Sequence, residues 1–452
     1  MRQSMKKKVL VIGLGLSGRS SCKYLLSKGC EVVGVDGNLD RIFDLEEIKE
    51  LEHLGAYIFS DKEPIDVTSF DEIVVSPGIP TTHKMLEKAR SSQVPVIGEA
   101  ELAFRSLGNR RALAITGTNG KTTVTLMVEH ILNRSGYKAR ALGNVGAALT
   151  DNMHRLDPGE IVVAELSSYQ LETLTSKVFH SAVILNITPD HLERYGNMDA
   201  YAEAKFKIQS CLKEGASFYI FSPIAKSYGH LLSEHFLTFG DDISSNLWTD
   251  GIAVKEWDKT EFFMPASIGS LPRHDHMNIL AAWALCRSIG VSSADFIEGV
   301  MSFKKPAHRL EFIREIDGVQ YFDDSKGTNI DAVIQAVSSM NRPVILLAGG
   351  VDKGASYSIW TQYFKDKVKE LFVFGQSAEK IRKELGVFFK VTSVGSLSEA
   401  VALASASASF GDVVLLSPGC SSFDMFRDYA HRGEEFQKCV NLLEPRSGKN
   451  EP

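Results

Sequence analysis

The chain has 452 residues, with 50 Lys and Arg against 56 Asp and Glu, a formal charge of -6, and 44% hydrophobic and 23% charged residues. That balance excludes a disordered chain and a generally basic protein that coats nucleic acid, and the length exceeds what one hydrophobic core supports, so two or three domains are expected. Six cysteines, at 22, 30, 211, 286, 420 and 439, form no C-x-x-C pair, and no apolar run approaches the roughly 20 residues of a membrane helix, so a reduced, cytoplasmic chain without stable membrane insertion is expected.

The basic start ending in Lys6-Lys7-Lys8 leads into the apolar run 9–12. Gly13-x-Gly15-x-x-Gly18 follows at once, which predicts a buried strand and its turn and not a signal peptide. A helix through Leu25 and Leu26 and a strand at 32–35 ending on Asp36 complete a βαβ pattern. Asp36 lies 18 residues beyond Gly18, near the spacing of a ribose-binding acid, so this block is Rossmann-like. Its ligand stays open on the residues alone, because a nicotinamide or flavin dinucleotide and a UDP group can use the same crevice. A strand at 73–75 runs into the turn Ser76-Pro77-Gly78-Ile79-Pro80, and 94–99 is the expected exit from the domain.

In the second block, Ala112-Leu113-Ala114-Ile115-Thr116 predicts a strand, Gly117-Thr118-Asn119-Gly120-Lys121-Thr122-Thr123 a phosphate loop, and the run through Ile131 a helix. Position 115 is Ile where the strict G-x-x-x-x-G-K-T form has Gly, which argues against the common nucleotide hydrolases and leaves the physics intact. Amides of the turn surround phosphate oxygens, Lys121 neutralises β- and γ-phosphate charge, and Thr122 offers a hydroxyl to Mg²⁺. Strands at 161–164 and 182–185 alternate with helices near 199–213 and 276–289, whereas 215–275 reads as irregular or antiparallel.

Parallel strands would carry Glu165 and His191 to the rim that holds the phosphate loop. A carboxylate and an imidazole could hold a second Mg²⁺ there, although imidazole is not that ion's usual ligand; zinc is the weaker alternative, since no compact Cys/His set accompanies His191. In the helix around 201–208, capped by Asn197 or Asp199, Tyr201, Ala204, Lys205 and Ile208 share one face. The residue types alone favour a Lys205 whose ammonium snorkels to solvent.

A third block starts near Pro306-Ala307-His308-Arg309, with strands predicted at 319–323, 344–348, 370–374 and 412–416 and helices at 329–338 and 396–408. The expected fold is α/β in three domains: a Rossmann-like domain over 1–99, a central P-loop ATPase-like domain over 100–306, and a C-terminal α/β domain over 307–452.

Taken in order, the glycine turn 13–18, the Gly-Thr-Asn-Gly-Lys-Thr loop, Asn186 through Arg194, Tyr201 through Lys205, and His308-Arg309 resemble the Mur ligase family. The resemblance continues through Asp323-Asp324-Ser325-Lys326-Gly327-Thr328-Asn329, Gly349-Gly350-Val351-Asp352-Lys353-Gly354 and Leu416-Ser417-Pro418-Gly419-Cys420-Ser421-Ser422-Phe423-Asp424, and so covers essentially the whole chain. It implies an ATP- and Mg²⁺-dependent carboxylate–amine ligase of peptidoglycan synthesis, with UDP-N-acetylmuramoyl-L-alanine and D-glutamate as partners and an acyl phosphate between them. A monomer with two Mg²⁺ ions and a carbamylated Lys205 is expected.

By the same resemblance, Leu16, Ser17 and Asp36 match the UDP pocket, and Gly37 stands where the family can have threonine. Gly117, Thr118, Asn119, Gly120, Lys121, Thr122, Thr123, Asn278, Arg309 and Asp324 match ATP contacts, and Thr122, Glu165, His191 and Lys205 the metal site. Lys121, Asn144, His191, Lys205 and Lys326 fall in the reaction cleft, and Thr328, Lys353, Ser422 and Tyr429 in the D-glutamate region. The base that deprotonates the incoming amine stays unassigned. The competing readings are another Mur- or folylpolyglutamate synthetase-like amide ligase, which should lack a dedicated UDP domain, and a nicotinamide-dependent oxidoreductase, which leaves Lys121 without a role.

Overall fold

A computed structural model describes residues 6–39, 45–145 and 148–445. Three sheets organise them. The first is fully parallel, with spatial order Tyr57–Ser60, Glu31–Asp36, Lys8–Ile12, Glu72–Val75, Val96–Gly98. Its central strand is buried on both faces, with Val9, Leu10 and Val11 wholly inaccessible, which explains the unbroken apolar run. The helix Leu16–Ser27 starts hard against the turn before it: a Cβ on Gly18 would lie 1.8 Å from the Gly13 carbonyl oxygen, so only glycine fits.

The second sheet runs Lys259–Phe263, Ala253–Glu256, Leu247–Thr249, Leu237–Gly240, Leu212–Phe221, Phe179–Ile184, Ala112–Thr116, Ile161–Glu165, Ala139–Gly143. The expectation of an irregular or antiparallel 215–275 meets a mixed outcome. Leu212–Phe221, Leu237–Gly240 and Leu247–Thr249 extend the parallel sheet, and only the pairings made by Ala253–Glu256 are antiparallel. The 237–240 and 247–249 strands are too short to show a period of their own. The helices Lys121–Arg134 and Arg273–Ile289 pack together over this sheet through Val124, Val128, Ile131, Leu280 and Ala284.

The third sheet runs Glu311–Ile316, Val319–Asp323, Val413–Leu416, Val344–Gly349, Val368–Phe374, Lys390–Ser393, with only its first pair antiparallel. Apolar clusters cover both of its faces, one around Val333, Trp360 and Phe364 and the other around Val401, Ala404 and Phe436.

The chain divides into two compact units, one of residues 1–187 with 201–303 and the other of residues 188–200 with 304–452. The first two sheets therefore share a unit, and a buried polar relay fastens them. Glu99 leaves the first sheet and accepts from the backbone N–H of Thr150 at 2.6 Å and from its hydroxyl at 2.9 Å; Ser20 lies 2.5 Å from the same hydroxyl. All three side chains are buried. Thr150→Val deletes the hydroxyl and leaves Ser20 and one Glu99 bond unsatisfied, so stability should fall by about 1–3 kcal/mol. Chemical denaturation checks this, and an unchanged unfolding midpoint would show that the relay contributes nothing.

Candidate active site

In the first unit, the Ala112–Thr116 strand ends at the Gly117–Gly120 turn, and Lys121 opens the helix that runs to Arg134. Asn186, at the end of the adjacent Phe179–Ile184 strand, holds this turn in shape. It accepts from the Thr118 N–H at 2.9 Å through its carbonyl and from the Asn119 N–H at 2.8 Å through Oδ1, and its Nδ2 donates to the Asn119 carbonyl at 3.0 Å. Two amides expected to face phosphate are thus committed to Asn186. The helix's first turn, whose amides have no intrahelical acceptor, provides the donors for an anion. In the sequence, Asn186 is one residue of the 186–194 motif, and nothing local marks it as the support of a turn 68 residues away.

Two ammonium groups converge on one carbonyl. Lys121 Nζ donates to Gly117 O at 2.9 Å and Thr118 O at 2.8 Å, and Lys205 Nζ donates to the same Gly117 O at 2.8 Å. Lys205 is 1% exposed, against the expectation of a snorkelling side chain. The reason is local: its amine lies 4.6 Å from the Tyr201 ring centroid and on the Gly117 carbonyl, which together replace water. The Tyr201 hydroxyl in turn lies 3.2 Å from Thr118 Oγ1. Asn278 also reaches the turn, since a Cβ on Gly120 would come 2.5 Å from its Oδ1.

Glu165 closes the Ile161–Glu165 strand and is 1% exposed. Asn144 Nδ2 donates to its Oε1 at 2.9 Å, whereas its Oε2 is buried with no hydrogen-bond partner. A buried, unsatisfied carboxylate oxygen is costly, and a cation is the natural partner for it. Gly143 lets the neighbouring chain come this close: its φ is 106°, and a Cβ there would lie 2.2 Å from the Glu165 carbonyl oxygen. In the first sheet, Leu16 is 59% exposed at the head of its helix. Asp36 accepts from the Leu14 N–H at 2.7 Å and the Asn38 N–H at 2.8 Å, so the acid read as a ribose ligand also shapes the glycine turn.

In the second unit, Arg432 organises the loops at the carboxyl ends of three strands. It is wholly buried, and its guanidinium donates to Ser325 O at 2.9 Å, Cys420 O at 3.1 Å and Gly349 O at 3.3 Å; burial pushes its pKa down to about 10. The loops it joins carry Lys326 and Thr328, Lys353, and Ser422. Lys326 Nζ stands 3.8 Å from the Tyr429 ring centroid, which brings these two candidates together. Lys353 Nζ lies 3.0 Å from Asp190 Oδ1 and 3.5 Å from Thr328 Oγ1. His191, with a left-handed φ of 54°, places its ring 3.5 Å from both the Asp190 and Glu193 carboxylates, and burial holds its pKa below the usual histidine range.

His308, Glu311 and Asp323 also cluster in this unit. Here hydrogen bonds already use the carboxylates: His308 Nδ1 lies 2.7 Å from Asp323 Oδ2, and Gln437 Nε2 donates to Asp323 at 2.9 Å and Glu311 at 3.3 Å. The Asp323 contact holds the His308 pKa up, which favours the imidazolium.

Models of three domains match in chain order: the MurD-like N-terminal domain of Mur ligases over 7–98, the Mur ligase middle domain over 115–286, and the Mur ligase glutamate ligase domain over 308–420. A UDP-N-acetylmuramoylalanine–D-glutamate ligase of Protochlamydia amoebophila (strain UWE25) is 49% identical over 437 residues, 97% of this chain and 98% of that protein. The chain belongs to the Mur ligase family. A ligase of the same name from Chlamydia pneumoniae is 32% identical over 97% of this chain and 99% of its own length. Solved Mur ligases share the fold at lower identity. The UDP-N-acetylmuramate–alanine ligase of Thermotoga maritima matches with a TM-score of 0.60 at 20% identity, covering 96% of this chain and 99% of that one. The MurF ligase of the same organism, solved with ADP, gives 0.58 at 18% identity, covering 91% and 95%. Among the described residues of this Mur ligase, no helix is long and apolar enough to cross a membrane.

Asp324 supplies a pH test. Ser417 Oγ donates to it at 2.7 Å, yet burial pushes its carboxyl up to about 7. Between the ordinary aspartate pKa near 4 and that value, the folded chain keeps a proton that the unfolded chain has released. Stability from this group should therefore fall as pH rises through that window. Asp324→Asn should flatten this part of the stability–pH curve; an unchanged slope would contradict the assignment.

Proposed function

We propose that the chain is an ATP- and Mg²⁺-dependent ligase that adds D-glutamate to UDP-N-acetylmuramoyl-L-alanine in peptidoglycan synthesis. The observation that carries this reading is Lys121, whose ammonium is held on the Gly117 and Thr118 carbonyls at a helix N-terminus. The near-full-length likeness to a D-glutamate ligase directs it to this substrate pair. Residues 1–99 serve as the UDP-precursor domain, with Leu16, Ser17 and Asp36 at its pocket; 100–306 as the ATP and metal domain; and 307–452 as the amino-acid domain. The match of 7–98 to a MurD-like N-terminal domain favours this over a folylpolyglutamate-type ligase, which needs no UDP domain, and over a nicotinamide enzyme.

The chemistry follows from charge. A carboxylate cannot expel oxide, so its oxygen attacks the γ-phosphorus of ATP, and ADP leaves with the electron pair of the broken P–O bond. Lys121 and the first-turn amides from Thr122 and Thr123 offset the negative charge there, and Gly117, Thr118, Asn119 and Gly120 shape the turn. Asn278 takes the base, and Arg309 and Asp324 take the rest of the nucleoside. Mg²⁺, for which Thr122 and Glu165 are suited, supplies Lewis-acid stabilisation of phosphoryl oxygens. Asn144 fixes the Glu165 carboxylate by its hydrogen bond, and Lys326 attends the reacting groups. The neutral amine of D-glutamate then attacks the acyl carbon and phosphate departs, leaving an amide; Thr328, Lys353, Ser422 and Tyr429 receive the amino acid.

Placing His191 in the metal set, and a second ion beside the first, rests on resemblance. So does carbamylation of Lys205, which has a physical motive: a second ammonium beside Lys121 opposes a cation, and a carbamate reverses that charge. Lys205→Ala should then regain activity with short carboxylic acids, and a lack of rescue would count against the carbamate.

The reading as a whole is tested by phosphate release and product mass with ATP, Mg²⁺ and UDP-N-acetylmuramoyl-L-alanine, comparing D-glutamate, L-glutamate, L-lysine and no amino acid. Ligation with D-glutamate alone is expected, and Lys121→Ala should lower kcat by at least about 100-fold. Preference for another amino acid, or full activity of the Lys121 variant, would overturn it.

A further inference from the structure

At the amino ends of the central sheet's parallel strands, the rim opposite the phosphate loop, three basic residues meet without an acid. Arg111 leads into the Ala112–Thr116 strand, His180 is the second residue of Phe179–Ile184, and Lys213 the second of Leu212–Phe221. Leu212 pairs with Phe179 and Ser217 with Ser181, so residues 213–216 stand opposite His180 alone, and Gly215, with a left-handed φ of 73°, lets the chain bulge there. At the start of this bulge Lys213 lies against the imidazole, with Nζ 3.2 Å from Nε2. Arg111 stands 5.6 Å from the Tyr137 ring centroid, and among the described residues neither it nor Lys213 has a carboxylate partner. The acids that precede the neighbouring Ile161–Glu165 strand are engaged elsewhere: Asp157 with Lys138 at 2.9 Å and Glu160 with Arg140 at 2.7 Å. Glu214, next to Lys213 in the chain, is exposed.

The imidazole faces donors on both sides. The Ala112 N–H donates to its Nδ1 at 3.2 Å, which leaves Nε2 to carry the ring proton. That N–H then meets an ammonium, which has only donors to offer. Burial, and after it the positive charges of Lys213 and Arg111, hold the His180 pKa below the usual histidine range, so the ring is neutral and the contact sets donor against donor. An oxygen atom that accepts from both nitrogens resolves the conflict. We propose that Arg111, His180 and Lys213 form a binding site for a phosphate-class oxyanion, either inorganic phosphate or the phosphate of a small ester. The two permanent positive charges match a phosphate dianion, and the imidazole N–H adds a donor of fixed direction. The site is separate from the nucleotide site: the five-residue Ala112–Thr116 strand lies between Arg111 and Gly117, a span of roughly 16 Å at about 3.3 Å per residue. A ligand there leaves the phosphate loop open, so the proposal does not depend on the reaction assigned to the chain.

Calorimetric titration of the full-length chain with inorganic phosphate and, separately, with glycerol 3-phosphate tests this. The wild type is compared with Lys213→Met, Arg111→Gln and Lys121→Ala, the last of which disables the phosphate loop instead. Lys213→Met and Arg111→Gln should each weaken the tighter-binding ligand at least tenfold, whereas Lys121→Ala should leave that Kd unchanged. Tighter binding of inorganic phosphate identifies the free ion as the ligand, and tighter binding of the ester identifies a phosphorylated small molecule. In the wild type, the same ligand should shift the nitrogen-15 resonance of His180 Nε2, assigned with His180→Gln, which gives a readout that does not rely on a variant's folding. An unmoved His180 resonance, no binding of either ligand at millimolar concentration, or binding lost in Lys121→Ala and kept in Lys213→Met would overturn the proposal.

Discussion

One carbonyl oxygen that accepts two ammonium groups sets the terms for this protein. With Lys121 and Lys205 both on Gly117 O, positive charge gathers at the start of a helix whose own dipole adds to it. Such an arrangement is unfavourable by itself; a polyanion at Lys121 and the proposed carbamate on Lys205 both relieve it. The surrounding structure maintains it: Asn186 fixes the turn that presents the carbonyl, Tyr201 covers the Lys205 amine, and the helix Arg273–Ile289 delivers Asn278 to the same turn.

The second unit solves a different problem on another mostly parallel sheet. Its parallel strands end at one rim, and functional side chains sit on the loops that leave that rim. Loops are mobile by default, so they need a tie, and Arg432 provides it through carbonyls of three loops at once. A buried guanidinium with five donors suits this task, since it can bond several carbonyls in one plane. Its lowered pKa reflects the price of burial, which those carbonyls offset.

Much of the fold was legible because interior strands of a covered sheet are unbroken apolar runs; those at 9–12, 112–116 and 344–348 announce themselves. Besides the short interior strands at 237–240 and 247–249, several strands that escaped are edges. Tyr57–Ser60, Ala139–Gly143, Glu311–Ile316 and Lys390–Ser393 each border a sheet, and each mixes exposed or half-exposed positions into its pattern. In the site, the phosphate loop was legible because its residues are contiguous. The burial of Lys205 was not, since it depends on a carbonyl 88 residues away, and the Asp190–Lys353 pair spans a longer separation still. Asn186 shows the same limit: asparagine in a motif does not reveal that it bonds both amides of a distant turn.

In the proposed reaction, Lys121 at the helix N-terminus assists transfer of the terminal phosphoryl group of ATP to a carboxylate, which then forms the amide. The direct measurement uses UDP-N-acetylmuramoyl-L-alanine carrying oxygen-18 in its carboxylate, with mass analysis of the inorganic phosphate released during ligation. Transfer of one labelled oxygen to phosphate in each turnover is the predicted result. Phosphate free of label, from an enzyme that forms the amide at full rate, would contradict the account.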